Sequence, residues 1–300
     1  MRQWPMLDLT DLRHFVAVYQ AGSFTAAAAR LGVSKVAVAK RIGALEQDQG
    51  VRLFQRSTRR MVATQEADQM YGHALELLQQ VEDLEVRMAN RSPMQGLVRV
   101  TCPLAVAHAF AGDLLAGFQE RHPGLELQLI ATDSVLDLVE HNVDLAIRVG
   151  DMRTSSLLGR KLGPNALLAC AAPSYLARSG PLRTLADLKR HRVLCMTYHL
   201  NARFRSKGRR VRDVIGEQRL ATNEGLLVTR LGVRGHGVVI RSRWSVRDEL
   251  ASGALVPVLP AHPIEPLGDL WLLASAGRLR SPRIRAVFEM LLEASRSYLD

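Results

Sequence analysis

Three cysteines in 300 residues are too few for a disulfide framework, and Cys102, Cys170 and Cys195 follow no zinc-ligand spacing. A reducing cytoplasm is the expected setting, with each thiol read as a small buried hydrophobe; a redox-sensing pair is the alternative. No run approaches the roughly 18 apolar residues of a helical membrane span, and the first residues lack the apolar core of a secretory leader. Catalytic motifs are missing as well. There is no G-x-S-x-G elbow, no S-x-x-K, no H-E-x-x-H and no phosphate-cradling G-x-x-x-x-G-K-[ST]. His108, His122, His141, His199 and His236 are scattered without metal-ligand spacing. No enzymatic activity, metal or cofactor is therefore expected.

Acidic side chains are in deficit: 29 Asp and Glu face 40 Lys and Arg, for a formal charge of +11 and a pI near 10.3. The excess points to a polyanionic partner, nucleic acid or an anionic membrane surface, and no lipidation signal supports the second. It is concentrated in residues 1–62, where Arg2, Arg13, Arg30, Lys35, Lys40, Arg41, Arg52, Arg56, Arg59 and Arg60 face only Asp8, Asp11, Glu46 and Asp48. The apolar share of 47% and charged share of 23% are those of a folded globular chain, long enough for two or three domains.

What is present is densest between Asp11 and Thr64. Thr10 is expected to cap a first helix reaching Ala21, with Leu12, Phe15, Val16 and Val18 as its apolar face and Gly22 as its stop. Ser23 caps a second helix to Leu31, whose Ala26, Ala27 and Ala28 admit a close neighbour. Gly32 and Val33 make a tight turn, and Ser34 caps a third helix that Gly50 ends. On this third helix Val38, Ile42 and Leu45 recur at i, i+4, i+7 and must turn inward. Lys35, Val36, Ala39, Lys40 and Gly43 form the opposite stripe of small or cationic residues suited to a DNA major groove, with Ser34 and Arg41 as further candidate DNA contacts. Lysines there can donate to guanine acceptors or phosphates, and Val36 and Ala39 can meet thymine methyls. Leu53 with Phe54, and Met61 to Ala63, read as two short strands of a wing. Arg56, Arg59 and Arg60 at its tip suit phosphates or the minor groove.

From Ala67 the pattern changes. Ala67, Met70, Ala74, Leu77, Val81, Leu84 and Met88 recur at alternating steps of three and four, a heptad seam with Glu82, Asp83, Glu85 and Arg87 on its flanks. Met70, Ala74, Leu77, Val81, Leu84 and Met88 are the candidate dimerisation contacts; the alternative is one amphipathic helix packed on its own domain. Arg91 to Gly96 reads as a hinge. Beyond it strands (97–101, 125–131, 145–149, 166–172, 193–197, 238–240, 270–274) alternate with helices (106–121, 134–140, after Pro173, 185–189, from Pro282). Such alternation predicts parallel sheets under helices. The class is α/β overall: an N-terminal all-α winged helix-turn-helix at 7–65, a long linker helix at 66–92, and a two-subdomain α/β domain at 93–300. Its first subdomain takes about 97–168 and 267–300, its second about 169–266. Arg203, Arg205, Lys207, Arg209, Arg210 and Arg212, with Phe204 between them, read either as a nucleic-acid patch or as a solvated hairpin.

The pattern of Phe15, Gly22, Ser23, Phe24, Ala27, Leu31, Ser34, Val38, Ile42, Leu45, Glu46, Gly50, Leu53, Phe54, Arg56 and Arg59 resembles that of the LysR-type transcriptional regulators. Asp144 to Gly150, Pro173 to Leu176 and Gly235 to Val238 extend the resemblance over essentially the whole chain. It implies a homodimer or homotetramer on promoter DNA, modulated by a small anionic metabolite, with RNA polymerase as a further candidate partner. It also implies an effector domain with the fold of type 2 periplasmic binding proteins. A DNA-binding regulator without an effector is the alternative reading. A solute-binding transport protein would account for the second part only.

By position and resemblance, Thr101, Cys102, Pro103, Thr132, Arg148, Val149, Tyr198 and Asn223 are expected around the effector. Arg148 can clasp a carboxylate, or else pair internally with Asp144 or Asp151. Several positions depart from the family pattern. Lys35, Val36, Ala39 and Lys40 are unusual on the groove-facing flank, so operator preference does not carry over. Arg241 and Ser242 stand where an apolar residue and a proline are usual, which makes the pocket either atypical or unused.

Overall fold

The computed structural model describes residues 7–56, 61–88, 93–134, 136, 138, 141–152, 157–266, 268–275 and 277–299. The first three helices are α1 (Leu9–Ala21), α2 (Phe24–Leu31) and α3 (Lys35–Gln49). Asp8, not Thr10, caps α1: its carboxylate accepts from the Thr10 backbone N–H at 2.7 Å. A carboxylate two residues earlier also suits the positive helix end, which favours it over the hydroxyl. Ser23 and Ser34 cap α2 and α3 through the Ala26 and Ala37 amides. All three helices close on a glycine in the left-handed region, Gly22, Gly32 and Gly50.

Val38, Ile42 and Leu45 are fully buried against Leu12, Phe15, Val18, Ala27 and Ala28, so the three helices share one core. The wing strands β1 (Phe54–Arg56) and β2 (Met61–Ala63) pair antiparallel below it. Glu46 ties α3 to the wing by accepting from the Leu53 and Phe54 amides at 2.8 and 3.1 Å.

The linker helix α4 (Gln65–Met88) belongs to two environments. Its first turns complete the head. The Tyr71 ring stacks on Tyr19 at 4.0 Å, Tyr19 donates to Asp68 at 2.8 Å, and Gln20 donates to the Tyr71 hydroxyl at 2.8 Å. Ala67 and Ala74 are buried in the head core and Met70 packs against it. The seam therefore corrects to a split stripe: Ala74 is enclosed by its own chain and is no subunit contact, and Met70 faces the head. Leu77, Leu84 and Met88 remain exposed, at 45%, 57% and 81%, with Val81 half-buried.

The second part holds two five-stranded sheets in two lobes. In lobe I, β3 (Gly96–Cys102), β4 (Leu125–Ala131), β5 (Leu145–Gly150), β6 (Leu158–Pro164) and β14 (Asp269–Ala274) take the order β4-β3-β5-β14-β6. In lobe II, β7 (Leu167–Ala171), β8 (Val193–Met196), β11 (Arg219–Thr222), β12 (Val238–Ser242) and β13 (Val256–Val258) take the order β11-β8-β12-β7-β13. The expectation of parallel sheets needs correcting, since both are mixed. β3, β4 and β5 run parallel, as do β8, β11 and β12, whereas β14 opposes β5 and β6, and β7 opposes β12 and β13. The antiparallel members flank the two crossings between lobes, after β6 and before β14, where the chain re-enters a sheet from the other side.

The short α5 (Leu104–Val106), α6 (Gly112–Arg121) and α11 (Pro282–Ala294) pack on lobe I, and α7 (Pro173–Ser179), α8 (Leu185–Leu188), the longer α9 (Gly225–Val233) and the short α10 (Arg247–Ala251) pack on lobe II. The helix expected over 106–121 is interrupted: a π-helical turn at Ala107–Ala111 precedes a regular helix at Gly112–Arg121. Most of the helix expected over 134–140 lies outside the described residues. The strands β6, β11 and β13 and the helix α9 had no counterpart in the sequence reading, whereas β9 (Phe204–Ser206) and β10 (Arg209–Val211) form the hairpin that was one reading of the basic cluster.

Candidate functional site

Two surfaces carry chemistry. On the head, Ser34, Lys35, Val36 and Lys40 are exposed and Ala39 half-buried, opposite the buried stripe of α3. Val36 is 76% exposed, far outside what a β-branched apolar residue needs for packing. Arg41 is different. Its guanidinium sits 2.9 Å from Asp11 and 3.5 Å from Asp8, so it clamps α3 to the start of α1 instead of standing free on the flank. Its hydrogen bond to Asp11 and the charges of both acids hold the guanidinium above its ordinary pKa. The Arg56 side chain, Arg59 and Arg60 lie outside the described residues.

The other surface is a cavity of about 470 Å³ between the lobes. Pro103, Thr132, Asp133, Ser134, Arg148 and Val149 line it from lobe I, and Met196, Thr197, Tyr198, Asn223, Arg241, Ser242 and Trp244 from lobe II. Asn165, at the crossing, is buried and accepts from the Trp244 indole at 2.9 Å. Of the residues expected around an effector, Pro103, Thr132, Arg148, Val149, Tyr198 and Asn223 are on this wall; Thr101 and Cys102 are not. Thr101 is fully buried and donates to the Ile130 carbonyl at 2.9 Å. Cys102 is sealed in the lobe I core, where burial pushes its thiol up to about 12. Both still belong to β3, and the wall begins where that strand ends, at Pro103.

The internal pair considered for Arg148 does not form with Asp144. That carboxylate is 2.8 Å from Arg278, with both side chains under one-tenth exposed, and accepts from the Arg99 amide at 2.7 Å. Burial raises the Asp144 pKa, with Arg278 opposing it. Among the described residues Arg148 instead makes two long contacts, 3.2 Å to the Ile147 carbonyl and 3.4 Å to the Thr101 hydroxyl. Burial lowers its pKa and that of Arg241.

Asp133, Ser134, Asn165, Met196, Thr197, Arg241, Ser242 and Trp244 are wall residues outside the expected set, and Arg241 is the one among them with a signal in the sequence. A cation closing the apolar run Val238, Val239, Ile240 was the available signal. In a central strand such a charge has no route to solvent along the sheet. The basic cluster forms the hairpin β9–β10, where Arg205 and Arg210 both reach Glu265 and Phe204 is fully buried. The aromatic ring among those cations is thus in the core and cannot stack on a base. Among the described residues no group of His, Cys, Asp and Glu could hold a metal ion, and no helix is long and apolar enough to cross a membrane.

A winged helix-turn-helix head, joined by a long helix to a two-lobed body with a cavity between its lobes, defines a class of one-chain regulators: a DNA-binding part coupled to a small-molecule-binding part. Residues 9–68 match the family described as "Bacterial regulatory helix-turn-helix protein, lysR family" and residues 91–296 the "LysR substrate binding domain". The HTH-type transcriptional regulator DmlR of Escherichia coli (strain K12) is 33% identical over 297 residues, covering 97% of this chain and 95% of the relative. The HTH-type transcriptional activator TtdR of the same strain is 30% identical over 298 residues, covering 97% and 94%. CrgA, a LysR-type transcriptional regulator from Neisseria meningitidis, superposes with a TM-score of 0.62 at 28% identity, over 97% of this chain and 99% of that one. The chain belongs to the LysR family and is a DNA-binding transcriptional regulator.

Proposed function

We propose that this regulator reads promoter DNA through the Lys35–Lys40 flank of α3, as an oligomer joined by the distal half of α4, and senses a small anionic metabolite in the cleft. One observation carries the reading. α3 buries Val38, Ile42 and Leu45 while leaving Lys35, Val36 and Lys40 uncovered, so a face of groove-compatible side chains has no packing role in the chain itself. Arg56, Arg59 and Arg60 on the wing are proposed phosphate contacts.

Leu77, Val81, Leu84 and Met88 form an apolar stripe on α4 beyond the head. A second copy of that helix would cover it and place two heads about one helical turn of DNA, or a multiple, apart. Pairs of such dimers would make a tetramer, and RNA polymerase is the proposed protein partner at the promoter. Ligand in the cleft would favour closure of the lobes and so re-angle the heads. A regulator without an effector would leave the cavity lined by Arg148 and Arg241 without a role.

Footprinting on the intergenic DNA beside the gene tests the whole reading. Protection of two half-sites that is lost in Lys40→Ala supports the flank, and a protected length that changes on adding ligand supports the sensor. Wild-type protection by Lys35→Ala, Lys40→Ala and their double variant would reject the placement.

A further inference from the structure

Arg241 is a buried charge that the fold leaves unused. It is 3% exposed on β12, the middle strand of lobe II, and its Nε and Nη2 have no hydrogen-bond partner among the described residues. Desolvating a guanidinium without a counter-charge is strongly unfavourable, so such a group calls for a partner that arrives later. Space has been kept for it: a Cβ built on Gly225 would fall 2.3 Å from Nη1, so any larger residue at 225 would displace the fork. The two acids whose charge reaches it are engaged elsewhere. Glu224 accepts from the Leu226 and Leu227 amides at 2.8 and 2.6 Å, and Asp133 from the Leu104 amide at 3.2 Å.

Arg148 faces the same cavity from lobe I with a similar deficit. It is 9% exposed, makes two long hydrogen bonds to neutral oxygens, and has no carboxylate within ion-pair distance among the described residues. We infer that the cleft binds a short dicarboxylate, one carboxylate on the Arg148 fork and the other on the Arg241 fork, so that the ligand itself ties the lobes together. The inference deepens the cleft-sensor reading and rests on it. A guanidinium presents two parallel N–H donors that match a carboxylate edge-on. Two such forks on opposite lobes require an anion at each end. A monocarboxylate or a single phosphate would serve one fork and leave the other desolvated and bare.

Calorimetry and thermal shift on the full-length protein, at constant ionic strength, would compare malonate, succinate, glutarate and adipate with butyrate and inorganic phosphate. One dicarboxylate is expected to bind roughly 10- to 100-fold more tightly than butyrate, the difference made by one charged hydrogen-bonded pair. Arg241→Met and Arg148→Met should each reduce that ligand to the butyrate level, with Arg241→Lys recovering only part of the affinity. Without ligand, Arg241→Met should melt no lower than wild type, because it removes an unpaired charge; a purely structural arginine would lower the melting temperature.

Butyrate or phosphate binding as tightly as the best dicarboxylate, arginine variants that bind like wild type, or a series in which nothing binds would each overturn the two-fork ligand. A parallel panel of neutral and monoanionic metabolites, with Ser242→Trp as the filled-cavity control, judges the cleft separately. A shift there that Ser242→Trp abolishes keeps the sensor reading without the dicarboxylate, and silence in both panels removes both.

Discussion

His199 offers a measurement in which the body of the protein reports on its own cleft. It lies at the end of a 3-10 turn (Thr197–His199) directly after β8, is 1% exposed, and has no partner for Nδ1 among the described residues. Burial, then the nearby Arg241 charge, lowers its pKa from 6.5 to about 4, against a hydrogen bond with the Ile240 backbone that raises it. The folded state therefore keeps the imidazole neutral where the unfolded chain takes up a proton. Its stabilising contribution is complete above pH 6.5 and is lost as the pH falls through about 4. At 1.36 kcal/mol per pKa unit, the full loss is about 3 kcal/mol, or about 6–12 °C in the melting temperature of a domain of roughly 200 residues.

Trp244 and Trp271 lie in this domain, so tryptophan fluorescence follows its unfolding. Melts at pH 7 and pH 4.5 should show wild type losing about 2–3 kcal/mol more than His199→Gln over that interval. Removing the Arg241 charge in Arg241→Met should move the midpoint of the loss to higher pH. Equal losses in wild type and His199→Gln would refute the reasoning, since the difference isolates this one titration from every other group.

Lys40→Ala should weaken operator binding and flatten the dependence of log K on log salt by about one counterion, measured in a gel-shift salt series. Leu84→Asp should give folded monomers by light scattering, whereas Ala74→Asp should unfold the head without any specific effect on assembly; a persistent Leu84→Asp dimer would reject the distal stripe. Removing one partner of the buried Asp144–Arg278 pair, as in Asp144→Asn or Arg278→Met, should destabilise the body by about 3–5 kcal/mol in denaturant titration, more than any single exposed ion pair would.

Legibility in the sequence followed the range of the forces involved. The helices of the head declare themselves because Ser23, Ser34, Gly22, Gly32 and Gly50 act within one turn, and the i, i+4, i+7 stripe of Val38, Ile42 and Leu45 needs no distant partner. The strand β6 does not: its Leu158–Pro164 segment is mostly exposed and is held by its ladder to β14 and the Lys161–Asp269 pair at 2.7 Å, neither of which leaves an apolar pattern. The period of α4 was visible, but period alone does not tell which turns meet the head, and the stacked Tyr19 and Tyr71 rings make that assignment. Six wall residues of the cleft were reachable from position along the chain together with the family resemblance. Arg241 stood out as an odd residue in an apolar run, yet that nothing pairs with it is a statement about three dimensions.

Both ends of the body are fastened to one lobe. α4 delivers the chain into β3, α11 packs on the same core, and lobe II is spliced in between by two short crossings near Asn165 and ahead of Asp269. No stretch of polypeptide thus runs from lobe II to the head without first passing through lobe I. A rotation of lobe II can therefore reach the head of its own chain only by way of lobe I. A neighbouring copy resting against lobe II would add a second route that bypasses its own chain's connection.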